Sequence, residues 1–161
     1  MEQSINMAMN VAFHRFRVWG MVAGFCLPGG AEIQAATLPS AIAGASHPVW
    51  SPDNSRLALS DSGGNGVYVY DLAAQTLVRL ADAPGSGAWV AWSPDGRGLG
   101  FKLFQPADGD GFPPQIPAVY RTDSQTVEPL LPATRRAGVP SFSDAGRVAF
   151  TVGNEVWIAD G

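Results

Sequence analysis

The chain has 161 residues, 46% of them hydrophobic and 15% charged, a balance that excludes both a disordered polymer and a membrane bundle. Its 19 glycines and 13 prolines, about a fifth of the chain, disfavour long helices and favour short strands joined by turns. Ten basic against 14 acidic residues give a net charge of -4, with no basic block beyond Arg135 and Arg136, which argues against a nucleic-acid partner.

At the N-terminus, His14, Arg15 and Arg17 precede an apolar run over residues 18–27, which Pro28, Gly29 and Gly30 break. That order reads as a secretory signal; a buried helix is the alternative. Ten residues are too few for a membrane span, which needs about 20. Cleavage fits after Ala31, Ala35 or Ala45, so residues 1–35 are assigned to a signal peptide and leader, with the cut between 31 and 45. Cys26 follows Phe25 rather than a small residue, which does not fit a lipoprotein site. The mature chain, periplasmic or secreted, then holds no cysteine, no membrane span and one histidine, His47. Disulfides, thiolate chemistry and multi-histidine zinc ligation are excluded, and no cofactor or metal is expected.

The remaining residues repeat. Trp50-Ser51-Pro52-Asp53-Asn54 leads to Leu57-Ala58-Leu59, Trp92-Ser93-Pro94-Asp95-Gly96 leads to Leu99-Gly100-Phe101, and Phe142-Ser143-Asp144-Ala145-Gly146 leads to Val148-Ala149-Phe150. The third copy lacks the proline and is one residue shorter. A second echo follows each: Tyr68 before Asp71, Tyr120 before Asp123 and Trp157 before Asp160, with Gln75-Thr76 recurring as Gln125-Thr126. Trp50 and Trp92 are 42 residues apart, and Trp92 and Phe142 are 50 apart. Four-stranded propeller blades recur at roughly 40 to 45 residues, so the second spacing carries an insertion. It lies between residues 104 and 117 and replaces the short loop at 61–65.

Turn chemistry explains the motif. Proline presets the first corner, aspartate bonds nearby backbone in the second, and glycine accepts the left-handed conformation that returns the chain. Each turn therefore joins two antiparallel strands. Those strands lack polar alternation, which implies cover on both faces, and the small central Ala58, Gly100 and Ala149 allow neighbouring sheets to approach. Residues 67–70 and 76–80 form a second hairpin, turned at 71–75, that completes four strands.

These residues resemble the WD40-like propeller repeats of TolB-type periplasmic proteins, whose units read Trp-Ser-Pro-Asp-Gly, an apolar strand, then an aromatic shortly before Asp. The resemblance covers residues 48–160. It implies an all-β partial propeller of four-stranded antiparallel blades, about two and three-quarters of them, with repeats starting near residues 47, 89 and 139. The same blades occur in the gating propellers of prolyl oligopeptidase-like enzymes, so the resemblance is specific for fold rather than activity. Closed propellers need four to eight blades. Further blades or self-association are therefore expected, because residues 156–159 would otherwise form an unpaired apolar edge.

The chemistry sought is mostly missing. Pro84-Gly85-Ser86-Gly87-Ala88 does not have the nucleophile-elbow spacing and reads as a flexible link. His47 has no evident serine partner in the sequence. Asp108-Gly109-Asp110-Gly111 opens like a calcium loop but lacks the closing glutamate, and Gly63-Gly64-Asn65-Gly66 is not followed by a helix that could cradle phosphate. The recurrent aspartates Asp53, Asp71, Asp95, Asp123 and Asp160 read as turn caps, and Trp50, Trp89, Trp92 and Trp157 as packing residues. One feature exceeds the repeat. The insertion carries Phe112, Pro113, Pro114 and Ile116, and it should emerge at the same end as the inter-blade link bearing Arg135 and Arg136. An apolar loop beside a guanidinium pair suits a partner-binding patch; a stiff loop beside a solvated basic pair is the bland alternative.

The leading expectation is a non-enzymatic, exported scaffold that binds a protein or envelope component, as the TolB resemblance implies. The alternative is the N-terminal propeller of a prolyl oligopeptidase-like serine peptidase whose catalytic domain is not in this chain.

Overall fold

The computed structural model describes residues 44–160 except 108, 110 and 135, together with two short strands, β1 (Phe25–Cys26) and β2 (Glu32–Ile33). The chain divides into two compact units, Met1–Thr37 and Leu38–Gly161. Within the first, β1 and β2 pair antiparallel. Apart from Phe25–Cys26, the apolar run of the expected signal lies outside the described residues. No helix among the described residues is long and apolar enough to cross a membrane.

The second unit holds three antiparallel sheets. The first is β3 (Ser46–Trp50), β4 (Arg56–Ser60), β5 (Val67–Asp71) and β6 (Thr76–Ala81), in that spatial order. The second is β7 (Ala91–Trp92), β8 (Gly98–Phe104), β9 (Gln115–Arg121) and β10 (Thr126–Pro129). The third comprises β11 (Ser141–Phe142), β12 (Val148–Val152) and β13 (Glu155–Ala159). Each repeat is thus one sheet of four or three strands, as the expected blades require. Register confirms the alignment of the copies, since Trp50 stands opposite Leu57, Trp92 opposite Leu99 and Phe142 opposite Val148.

Side-chain alternation gives every sheet two different faces. Leu99, Phe101, Ala118 and Tyr120 of the second sheet pack against Ala58, Val67 and Val69 of the first. Val148 and Phe150 of the third pack against Val119 of the second. Large residues therefore look toward the preceding sheet and the small central residue toward the following one. Gly100 shows how closely: a Cβ there would lie 2.7 Å from the carbonyl oxygen of Pro140. Full burial of a side chain such as Phe101 is worth about 1.5–3 kcal/mol, so these interfaces hold the stack together without disulfides.

The second echo aligns less simply than the sequence suggests. Arg56 stands opposite Asp71, but its counterpart Gly98 stands opposite Arg121, so Asp123 lies two positions further on, inside the turn. The recurrent Gln-Thr does align. Gln75 and Gln125 take φ of 53° and 55°, so each occupies the left-handed corner that returns the chain to the outer strand.

Most tryptophans are not core. Trp92 is half-buried, packs into the first interface and donates from Nε1 to Val49 O at 3.1 Å. Trp50, Trp89 and Trp157 are 52%, 73% and 42% exposed. The reason lies in the stacking rule. The aromatic of each innermost strand leans on the sheet before it, as Phe142 does on Gly98 and Gly100, and Trp50 lies on the first sheet of the second unit. Trp157 lies on β13, the edge of a three-stranded sheet.

Gly100→Ala is expected to destabilise the domain by about 1–3 kcal/mol through overpacking against backbone, while Gly109→Ala, with nothing within 4 Å but a φ of 82°, loses only its conformational ease. Urea midpoints measure both. An unchanged midpoint for Gly100→Ala would show that the second and third sheets are not in close contact.

Candidate partner-binding end

Two ends of the stack differ in chemistry. At one end lie the repeat turns, each pinned by a serine the sequence reading passed over. Ser51 Oγ accepts the Arg56 N–H at 2.9 Å, Ser93 Oγ the Gly98 N–H at 2.7 Å, and Ser143 Oγ the Arg147 N–H at 3.0 Å. The shortened third turn keeps the same closure, with Gly146 N–H donating to Ser143 O at 2.9 Å. Left-handed corners fall at Asn54, Gly96 and Gly146. The signal was present, since serine follows the aromatic in all three copies.

Asp53, Asp71 and Asp95 act as turn caps rather than as a carboxylate pair, whereas Asp160, expected to cap a turn, bonds the Arg147 side chain instead. Asp53 Oδ1 accepts the Ser55 N–H at 3.1 Å and Asp95 Oδ1 the Arg97 N–H at 3.0 Å, while Ser51 and Ser93 donate their hydroxyls to the same carboxylates. The serine hydroxyls hold the Asp53 carboxyl at about 2 and keep that of Asp95 below its ordinary value. Asp71 caps the Ala74 N–H and pairs with Arg56 at 3.3 Å; Asp160 pairs with Arg147 at 3.0 Å. Where glycine replaces this arginine, at Gly98, Arg121 pairs with Glu128 at 2.9 Å instead.

The opposite end carries the insertion and the links. β8 and β9 have seven residues each, against five in β4 and β5, so the insertion lengthens its own hairpin. The Gln105 N–H donates to Pro114 O at 2.9 Å across its base. Gln115 then ties it to the link that follows β10. Backbone bonds run both ways between Gln115 and Thr134, at 2.6 and 2.8 Å, and Gln115 Oε1 accepts from Lys102 Nζ at 3.2 Å and the Ala137 N–H at 3.3 Å. The insertion and the basic link do share one end. Lys102 also stands 5.4 Å from the centroid of the Phe104 ring, and burial lowers the pKa of its ammonium.

The expected patch residues fall into three groups. Phe112 is 86% exposed. Pro113 and Ile116 are half-buried, and Ile116 belongs to β9, opposite Leu103, rather than to the loop. Arg136 is exposed and its carbonyl accepts the Gly153 N–H at 3.0 Å; Arg135 lies outside the described residues. Gln115 and Lys102, which brace the insertion, gave no signal in the sequence, because their partners lie 13 to 22 residues away along the chain.

Three weaker candidates resolve at the same end. The link over residues 84–88 is packed, not loose: Ser86 is buried, and a Cβ on Gly87 would lie 2.2 Å from Gly66 O. The amides of Gly63 and Asn65 point to Asp61 Oδ1 at 3.0 and 2.7 Å, so that loop is folded on its own carboxylate. His47 does have serine partners, with Nδ1 3.0 Å from Ser46 Oγ and 3.2 Å from Ser60 Oγ. Asp108 and Asp110 lie outside the described residues, and no group of three or more His, Cys, Asp or Glu among those described could hold a metal ion.

Stacked antiparallel sheets of this kind define a β-propeller. The crystal structure of the tricorn protease shares the fold with a TM-score of 0.61 at 11% identity, over 75% of this chain and 12% of that one. TolB from Acinetobacter baumannii gives 0.49 at 18% identity over 71% of this chain and 28% of the other. In sequence, the Tol-Pal system protein TolB of Alcanivorax borkumensis is 34% identical over 59 residues, 35% of this chain and 14% of that relative. No protein-family model matches the chain. The sequence similarity to TolB is confined to that 59-residue stretch, and the chain spans only a small part of these proteins' lengths.

Ser93→Ala leaves the buried Gly98 N–H without its partner and should cost about 1–3 kcal/mol, read as a lowered thermal midpoint. The depressed aspartates predict an acid limb. Their ionised forms stabilise the turns above the ordinary carboxylate range, and that stability is lost as pH falls through about 2 for Asp53. Asp53→Asn should therefore flatten the change in unfolding midpoint between about pH 4 and about pH 2; an unaltered acid limb would show that Asp53 is not an ionised cap.

Proposed function

We propose that this chain is an exported, non-enzymatic segment of a TolB-like β-propeller that holds a protein or envelope component at its loop end. The observation behind this reading is the Gln115 brace. It fixes an insertion that the other repeats lack against the link carrying Arg136, and leaves Phe112 almost wholly in water. An exposed aromatic on a braced loop, tied to a link that carries an arginine, has the composition of an interface hot spot. Periplasmic or secreted location belongs to the same reading, supported by the basic flank and short apolar run at residues 14–27. No cofactor, nucleic acid or membrane span enters it.

The reading also takes β13 as a paired strand in the working protein. Val156 and Ile158 are 68% and 61% exposed on that edge, a hazard that a further blade or a second copy would remove.

Changing Phe112, Arg135 and Arg136 together to alanine should weaken capture of a partner from an envelope extract at least about tenfold, the scale of one hot-spot residue, with an unchanged far-ultraviolet spectrum. Undiminished capture removes the proposal. The coding DNA beyond Gly161 separates the alternative: further blades and then a stop favour the scaffold, whereas a Gly-x-Ser-x-Gly strand-turn-helix favours a peptidase.

A further inference from the structure

The outer face of the third sheet repeats positions that are buried in the other two. Register aligns Ala58, Gly100 and Ala149, whose cross-strand neighbours are Val69, Val119 and Ile158. Two residues before each neighbour, on the same face, stand Val67, Pro117 and Val156. Val69, Val119, Val67 and Pro117 are buried, whereas Ile158 and Val156 are exposed. The turn serine divides the same way, buried at Ser51 and Ser93 and exposed at Ser143. In the first two sheets the cover is the sheet that follows.

That cover includes the aromatic of the following sheet's innermost strand. Trp92 packs into the core that contains Ala58 and donates from Nε1 to Val49 O at 3.1 Å. Phe142 lies against the positions that a Cβ would take on Gly98 and Gly100. The receiving faces differ with the aromatic received. The sheet that takes the indole has Ala58 at its centre and Arg56 paired with Asp71; the sheet that takes the phenyl ring has Gly100 and Gly98 at the aligned positions. The third sheet is of the first kind. Ala149 is central, and Arg147, aligned with Arg56, pairs with Asp160 at 3.0 Å. Ser141, Phe142, Ser143, Arg147, Ala149 and Ile158 line a groove there. Trp50, at the same repeat position as Trp92, is 52% exposed.

We infer that the groove on the third sheet seats Trp50 of a second copy of this chain, its indole N–H donating to Ser141 O as Trp92 donates to Val49 O. Ser141 stands to Ala149 as Val49 stands to Ala58. The contact is head to tail, so each copy offers one tryptophan and one groove, and such contacts close into a ring when the rotation allows. With three sheets in the second unit of each chain, two copies bring as many as a six-bladed propeller, within the four to eight blades of closed ones. The inference goes beyond the loop-end reading and does not rest on it.

Sedimentation velocity of the 161-residue chain should show a two-copy species. Trp50→Ala, which removes the occupant, and Ile158→Glu, which puts a charge in the groove, should each weaken association at least about tenfold. Both side chains are exposed, so far-ultraviolet spectra should stay unchanged. An equimolar mixture of the two variants should regain the two-copy species, because the Ile158→Glu chain keeps its tryptophan and the Trp50→Ala chain keeps its groove. A wild-type chain that remains single at its highest soluble concentration overturns the inference. A pair that tolerates both substitutions, as one joined through the β13 edges would, or a mixture that stays single, overturns the seating of Trp50. Capture through Phe112 is read separately, and neither result moves the other.

Discussion

The structure depends on one steric constraint, the unequal thickness of the two faces of each sheet. Leu99 and Phe101, or Val148 and Phe150, fill the space toward the preceding sheet, while Ala58 and Gly100 leave room for the following one. Because large meets small at each interface, like sheets stack without voids or clashes. A chain without a usable disulfide framework needs this, since packing alone must offset the entropy of ordering so many loops. The same constraint accounts for the third sheet, whose face beyond Val148 and Phe150 carries Val156 and Ile158 into solvent.

The repeat turns serve that constraint by fixing where each hairpin begins. In the first two turns a buried serine accepts the first amide of the returning strand and donates to the aspartate two residues later. Both ends of the corner are thus tied to one oxygen, and the ionised aspartate closes the loop. Proline is dispensable, as the third turn shows, because Ser143 and Gly146 keep the backbone bonds without it.

The sequence made the fold legible because a repeat carries both strand pattern and turn chemistry at once. Strand order, the two hairpins per blade and the end at which the insertion emerges were all readable from residues 48–160. The exposure of Trp50 and Trp157 was not, because burial belongs to the neighbour a residue meets and not to its place in a motif. The displaced Asp123 escaped for a related reason. Spacing along the chain does not record register across it, and Arg121 takes the position opposite Gly98 that Asp71 takes opposite Arg56. At the candidate site, Phe112 and Arg136 were visible as departures from the repeat. Gln115, Lys102 and the His47 cluster were not, since their contacts join segments 13 to 22 residues apart.

The two ends therefore divide the work of the molecule. At the turn end the serine that accepts the returning amide recurs in all three copies, and repetition is what a structural role leaves behind, since each blade has the same problem to solve. At the loop end each sheet differs: a short Asp61-folded loop in the first, a braced insertion in the second, a tight turn at Gly153 in the third. None of those differences is needed to stack the sheets. Residues that cost stability without serving the stack, such as a phenylalanine in open water, are where a function should be sought.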